Sequence, residues 1–560
     1  MQQFSSAARS HNLTRLQDET FDVLVIGGGV TGAGVALDAV ARGYTVALVE
    51  KLDFASGTSS KSTKLVHGGI RYLPNFDFAL VREALIERGL LLHNAPFLVQ
   101  PVGFVLPIYE HDRHPVGMRF TTPGGIGLGL MLDFGLWLYD RLAGKRNIAH
   151  HRRLSRKQVL ELAPGLVPDG LKEGFIYYDA QTNDARLTVT LLHTAALRGA
   201  VIANYAEVQG FISENGHVTG ARLSDRLGQQ EITVRARHVV NATGIYSEQV
   251  ESLIEQEPQV RIEPSKGVHL VFAREKLQVQ QDAIVLPETD DKRILFLVPW
   301  ESRVIFGTTD TGSGDLDHPI ATREDVHYLL KHLNRYVTVD LSEADILSVY
   351  AGYRPLVLRH KATTHSSASL SRTHAVLQSP SGLVSIVGGK LTTYRRMAQD
   401  TVDLLQRRDS RKRQHPTTNL PLLGSVDWAD TQSELTSQAS ALGLDETIID
   451  HLSSIYGTEI REIFRLIEED ATLAERLIAD LPYIRAQVVH ACRAEMAMTP
   501  YDVLARRTSL ILEDRQRGLG VVDLVADLMA HELSWSPEQR ARLVEEYRQV
   551  VQRQMEGERL

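Results

Sequence analysis

The chain has one cysteine, Cys492, among its 560 residues. It therefore has no intramolecular disulfide framework and no Cys-rich zinc or iron–sulfur site, and a reducing, cytoplasm-facing setting is expected. Positive charge is not in excess either: 61 Lys and Arg against 69 Asp and Glu give a formal net charge of -8. A general nucleic-acid binder is disfavoured, because grip on a phosphate backbone needs surplus cations. Long apolar runs are missing as well. Residues 1–20 hold no continuous apolar stretch of the secretory kind. The most apolar segment, residues 126–138 (IGLGLMLDFGLWL), contains Asp133 and falls short of the ~20 residues that span a bilayer. No calcium loop of the D-x-[DN]-x-[DN]-G type occurs, and residues 310–317 (DTGSGDLD) miss its spacing. No metal site is expected. What is present, 43% hydrophobic and 23% charged residues, suits a soluble globular protein of two or three domains.

Residues 21–26 (FDVLVI) form a short apolar run ending in glycines, as expected of a strand buried on both faces of a parallel sheet. An Ala-rich helical pattern follows from Val30 to Arg42, closed by Gly43, and a second strand is expected over residues 44–49. Further strands are read at 238–240, 294–298 and 383–387. Residues 416–424 read as a linker, and the rest of the chain is helical in period. Basic runs at 145–157 and 407–413 are solvated surface in the plain reading. The first follows the apolar stretch with Trp137 and Tyr139, a pattern that suits a surface resting on anionic lipid.

Between the first strand and helix, Gly27, Gly29 and Gly32 fit G-x-G-x-x-G. The first glycine allows the tight turn, the second lets a pyrophosphate approach the backbone, and the third lets helix pack on strand. Glu50 ends the second strand 18 residues after Gly32 (50 minus 32), where a carboxylate accepts ribose hydroxyls and disfavours a 2′-phosphate. The following segment, residues 53–72, is rich in small hydroxyl residues and carries Gly68-Gly69. An ordinary NAD dehydrogenase has further strand–helix units there, so FAD is favoured. Gly388-Gly389-Lys390 is not a nucleotide-triphosphate loop, because Leu391 stands where Ser or Thr holds magnesium.

The segments VIGGGVTGAG (25–34), TSSKSTKLVHGGIRYL (58–73), NDARL (183–187), NATG (241–244), KGVHLV (266–271), FLVPW (296–300), GTTD (307–310), GYRPL (352–356) and GGKLTTYR (388–395) occur in this order. With them the chain resembles the FAD-dependent, respiratory sn-glycerol-3-phosphate dehydrogenases of the D-amino-acid-oxidase-like flavoprotein superfamily. It departs from their pattern at Ile245-Tyr246 and at Thr373. The resemblance implies an α/β fold. A Rossmann-like FAD-binding domain (20–95, 170–260 and 350–410) would be interleaved with a mixed-sheet substrate domain (96–169 and 261–349) and followed by an all-helical domain (420–560). It implies noncovalent FAD, with His67 lining the flavin pocket. Thr58, Ser59, Gly68, Gly69, Thr243, Gly244, Thr309, Gly388 and Gly389 join Gly27, Gly29, Gly32 and Glu50 as cofactor-binding candidates.

A polyol phosphate carries ~-1.5 to -2 charges, so its pocket needs fixed cations. The resemblance places Arg71, Tyr72, Arg372 and Lys390 at the phosphate and Arg354 with His269 near the C2 hydroxyl. His269, Arg354 and Lys390 are the candidate catalytic residues, His269 as proton acceptor and Arg354 as its electrostatic partner. The implied reaction takes glycerol 3-phosphate to dihydroxyacetone phosphate by hydride transfer from C2 to flavin N5. Electrons would pass to quinone at the inner face of the cell membrane, where an anionic surface holds the protein peripherally. An oxidase that forms peroxide and a non-catalytic flavin sensor are the alternatives, and a homodimer is left open.

Overall fold

A computed structural model describes residues 3–112, 127–287, 289–291, 293–312, 314–358 and 373–558. Its first sheet has eight strands around a parallel centre, most of whose strands are short and apolar. Thr20–Ile26 lies between Glu231–Asn241 and Val46–Val49, with Val384–Val387 outside the former and Val201–Ala203 outside the latter. Val23, Leu24 and Val25 are wholly buried, because both faces of this sheet are covered. On one face, Val23 and Val25 share a core with the helices Val30–Ala41, Asp184–Leu197 and Tyr394–Arg408. On the other, Leu24 and Ile26 pack with the helix Ser6–Asp18 and with the antiparallel strands Ala206–Glu214 and His217–Asp225.

Register decides where the loops go. Ile26 is paired with both Val49 and Asn241, and Asn241 with Ser385. The turns after these strands, at Gly27, Glu50, Ala242 and Gly388, therefore emerge along one carboxyl edge. In open α/β sheets that edge is where ligands bind.

The second sheet runs in the order Ile346–Val357, Ile262–Ala273, Arg303–Gly307, Leu295–Trp300, Ala283–Leu286, Val99–Tyr109, Leu171–Thr182, Leu65–Val66. It is antiparallel except between Ala283–Leu286 and Val99–Tyr109. Leu171–Thr182 falls inside the 170–260 segment expected of the cofactor domain, yet it pairs in this second sheet.

The helical region after residue 420 is not held at arm's length. Trp428, Leu435 and Ile463 share the core of the first sheet, while Val488, Val525 and Met529 share a core with Val271, Trp300 and Tyr350 of the second. The expected linker is itself docked: Leu422 is 2% exposed, its N–H donates to Asn94 O (2.8 Å), and Thr417 Oγ1 donates to Asp38 Oδ1 (2.5 Å). Apolar Leu422 and a paired hydroxyl are better served by burial than by solvent. Among the described residues no helix is long and apolar enough to cross a membrane, and no cluster of His, Cys, Asp and Glu could hold a metal ion.

Candidate active site

At the carboxyl edge of the first sheet the chain forms a cradle of bare backbone. Gly29 caps the helix Val30–Ala41. Gly27 has φ +112°, and a Cβ there would stand 2.6 Å from Ala242 O. At Gly32 a Cβ would overlap the Gly27 carbonyl oxygen. Glu50 accepts from Gly28 N–H (2.7 Å) and Leu52 N–H (3.0 Å). Burial pushes its carboxyl up, and those two N–H groups oppose the shift. Ser59 Oγ accepts from Val30 N–H (2.9 Å), which brings a hydroxyl to the first turn of the helix. Thr58 Oγ1 donates to Tyr353 O (2.6 Å), tying this segment to the second sheet.

The rest of the edge is assembled from distant segments. Thr243 Oγ1 donates to Asn241 Oδ1 (2.7 Å), Gly244 has φ +59°, and Gly388 and Gly389 have φ +75° and +80°. His67 N–H donates to Thr392 Oγ1 (3.1 Å), joining the 58–73 segment to the Gly388-Gly389 turn. Two candidates carry structural duties. A Cβ on Gly68 would meet Leu85 Cδ2 and Tyr139 Oη at 2.5 Å, so Gly68 is required by helix packing. Thr309 is 2% exposed, and its hydroxyl accepts from Val268 N–H (3.0 Å). The unsubstituted turn, the helix N-terminus and the acceptor carboxylate together fit the pyrophosphate and ribose of a dinucleotide.

A second group of residues gathers where the two sheets meet. Gly69, with φ +79°, turns the chain into the 3₁₀ helix Ile70–Asn75. There Arg71 Nη2 donates to Tyr72 Oη (2.9 Å), and Lys390 Nζ lies 4.0 Å from the Tyr72 ring centroid. Two cations from segments some 320 residues apart (390 minus 71 is 319) thus share one phenol ring. Arg354 Nη2 donates to Thr308 Oγ1 (3.0 Å) and Thr309 O (3.1 Å), with Asp310 Oδ1 3.7 Å from Nη1.

His269 is opposite Tyr350 and Ser265 is opposite Arg354 in the pairing of Ile262–Ala273 with Ile346–Val357. His269 and Arg354 consequently lie on the same face of the sheet. The His269 ring stacks on Tyr350 (centroids 4.7 Å, 11°), and Nε2 is 2.9 Å from Thr63 Oγ1. Burial pushes His269 well below the ordinary imidazole range, and the charges of Arg354 and Lys64 add to it. These influences all favour the neutral ring. A cavity lined by His67, Gly69, Arg71, Phe104, Tyr177 and Phe296 opens beside this site. The pairings Phe296 with Gly307 and Gly307 with His269 form a row that leads from the cavity wall to the imidazole. Arg372 lies outside the described residues.

Three neighbours escaped the sequence reading: Thr63, Tyr350 and Lys64. Thr63 and Lys64 belong to the quoted 58–73 segment, but their partners depend on a sheet register no local pattern reveals.

Residues 22–395 match the family model described as FAD dependent oxidoreductase. Residues 415–540 match the C-terminal domain of alpha-glycerophosphate oxidase. Glycerol-3-phosphate dehydrogenase 2 of Mycobacterium bovis is 38% identical over 533 residues, 95% of this chain and 88% of that protein. The mitochondrial glycerol-3-phosphate dehydrogenase of Homo sapiens is 36% identical over 569 residues, 98% of this chain and 75% of that protein. The structure of the glycerol-3-phosphate dehydrogenase from Bacillus halodurans complexed with FAD superposes with a TM-score of 0.80 at 31% identity, covering 98% of each chain.

Proposed function

This chain belongs to the FAD-dependent oxidoreductase family, with FAD as its cofactor, and we propose that it oxidises sn-glycerol 3-phosphate to dihydroxyacetone phosphate. The observation that carries this reading is the meeting of Arg71, Tyr72 and Lys390 beside a cavity one sheet row from His269. Bound FAD supplies the hydride acceptor for the substrate's C2. Everything else falls to the chain's own groups. Arg71 and Lys390 bind the phosphate, with Arg372 as a third cation, and guanidinium suits phosphate by its forked donors. Arg354, fixed by Thr308 and Thr309, stabilises negative charge on the C2 oxygen. His269 takes the hydroxyl proton on a ring oriented by Tyr350 and Thr63. The substrate dianion brings charge opposite to that of Arg354 and Lys64, and so favours the protonated ring that the ligand-free site opposes. Glu50 and the glycine turn hold FAD without a covalent bond, so acid precipitation should leave a colourless pellet.

Quinone is the electron acceptor in this reading, reached from a membrane surface. Phe76 is 73% exposed, Leu130 67%, Phe134 64% and Trp137 47%, all on elements adjoining the cation cluster, and Arg141 lies 5.4 Å over the Trp137 ring. Exposed apolar side chains with Arg141 beside Trp137 suit the interface of an anionic bilayer. The match of residues 415–540 to an oxidase's C-terminal domain supports a second reading, oxygen as acceptor. Peroxide yield against quinone reduction separates the two. For the central proposal, anaerobic glycerol 3-phosphate should bleach the flavin absorbance; holoprotein that keeps its colour would overturn it.

A further inference from the structure

Residues 183–187 (NDARL) have no part in the chemistry above, yet their polar side chains are buried at a seam. Asp184 accepts from Lys64 Nζ (2.6 Å) and Ser62 Oγ (2.7 Å), holding the segment that carries Thr63 and His67. Arg186 reaches the helical region, pairing with Glu495 (2.7 Å), and Asn183 Nδ2 donates to Ser509 Oγ (3.2 Å).

A second tie starts at Asp53, just after the ribose carboxylate. Its carboxylate accepts from Arg506 Nε (2.6 Å), from Arg507 Nη1 (2.7 Å) and Nη2 (2.9 Å), and from Asn204 Nδ2 (3.1 Å). Arg506 also donates to Asp502 Oδ1 (2.6 Å) and Arg507 to Glu495 O (2.7 Å). Asp53, Asp502 and Glu495 thus face Arg186, Arg506 and Arg507, none of the six more than 5% exposed. Burial opposes charge on Asp53, but Arg507 and Arg506 outweigh it and hold the carboxyl below its usual range. In such a balanced buried set, removing one member leaves another charge unpaired.

The turn that Asp53 anchors is bonded into the dinucleotide cradle. Ala55 N–H donates to Gly28 O (3.0 Å), Leu52 N–H to Glu50 Oε1 (3.0 Å), and Phe54 Cδ1 stands 2.8 Å from where a Cβ of Gly28 would be. The same turn therefore faces Gly28 and Glu50 on one side and the helical region on the other.

We propose that the C-terminal helical region clamps the flavin site, with Arg506 and Arg507 as positioning residues that act through Asp53 to fix Gly28 and Glu50 for FAD. The proposal rests on the Gly27–Gly32 turn being the FAD cradle. Full-length protein is freed of flavin and titrated with FAD, following flavin fluorescence. Arg507→Gln should raise the FAD Kd by ~10- to 100-fold, taking as a guide the loss that follows removal of groups that orient the ligands of a bound metal. Far-UV circular dichroism of the flavin-free protein should not change. Asp53→Asn should do likewise, and the double variant should be no weaker than the weaker single one, since both break one network. Arg303→Gln is the control: Arg303 Nε donates to Glu513 O (3.0 Å), joining the helical region to the second sheet instead, and its FAD Kd should match wild type. A folded Arg507→Gln protein that binds FAD like wild type overturns the proposal, as does an Arg303→Gln protein weakened equally. If Arg507→Gln does not fold, Arg507→Lys, which keeps charge but loses the fork, decides by the same criterion. Wild-type protein that takes up no FAD would instead overturn the cradle reading itself.

Discussion

The two ends of the candidate site are built from different materials. At the dinucleotide end the groups offered are backbone N–H donors, one carboxylate and small hydroxyls such as that of Ser59, set around a turn where no side chain fits: a Cβ at Gly27 would stand 2.6 Å from Ala242 O. At the substrate end the groups are cations and an imidazole, placed by pairing among strands and a turn that lie far apart in the chain. The first end is intolerant of added volume. The second is intolerant of lost charge, and the two failures should be separable by experiment.

The largest effect is expected where volume is added to the cradle. Gly32→Val would drive a branched side chain into the Gly27 carbonyl oxygen, so helix and strand cannot keep their approach. Purified protein should carry far less flavin than wild type, with activity falling in proportion. Normal flavin content, measured by absorbance per chain, would show that the turn is not what holds the cofactor.

Charge removal at the other end should spare the flavin. Arg354→Ala deletes the guanidinium held by Thr308 and Thr309 and should lower kcat by ~10²- to 10³-fold, as loss of one oxyanion-stabilising donor does. Flavin per chain should stay at the wild-type value. Parallel loss of flavin and turnover would instead make Arg354 part of the cofactor scaffold and erase the contrast between the ends.

This contrast also explains how much of the site is legible in the sequence. The cradle was legible because its parts are local: a strand, three glycines, a helix and Glu50 fall within some 30 residues, and each residue type has one strong physical reason to be there. Gly68 carries a demand that no local pattern reveals: a Cβ there would meet Leu85 and Tyr139, so helix packing also requires a glycine at this cofactor-binding candidate. At the substrate end the residue types pointed to phosphate, but the neighbours that set their chemistry were hidden. Thr63 and His269 are 206 positions apart, and Tyr350 meets His269 only through strand register. Residues 416–424 misled in the other direction. Their Pro and Gly suggested a spacer, whereas Leu422 and Thr417 are anchored in the body. Tertiary burial overrode local composition.

A pH profile sharpens the electrostatics of the substrate end. His269 is held well below the ordinary imidazole value of ~6.5 by burial, and further by Arg354 and Lys64. A base with a lowered pKa stays unprotonated to lower pH, so kcat/KM should show no fall near 6.5 from this ring. The remaining acid-side change should follow the substrate phosphate, whose second ionisation lies at ~6. In Arg354→Gln, with one opposing charge gone, the imidazole limb should move up in pH at the residual turnover. The same sign governs stability: a depressed folded pKa gives stability that is complete above ~6.5 and lost as pH falls through the folded value. His269→Gln should therefore be less acid-sensitive than wild type in thermal melts between pH 6.5 and 4.5.

The smallest effect on turnover is expected from the exposed aromatics, which touch neither end of the site. Phe134 and Trp137 stack at 5.6 Å and are 64% and 47% exposed. Water gains nothing from keeping two large apolar rings in contact with it, whereas a bilayer interface takes them up favourably. Replacing both with Ala removes an apolar anchor worth ~1.5 to 3 kcal/mol per fully buried ring. Partitioning onto anionic vesicles should weaken by at least ~10-fold, and added salt should weaken it further where the adjoining cations contribute. Dye-linked oxidation of glycerol 3-phosphate in solution should match wild type, because neither ring lines the cavity beside Arg71. Quinone reduction measured on vesicles should fall with binding. If vesicle binding is unchanged while dye-linked turnover drops, these rings serve the active-site wall, and the membrane face lies elsewhere on the molecule.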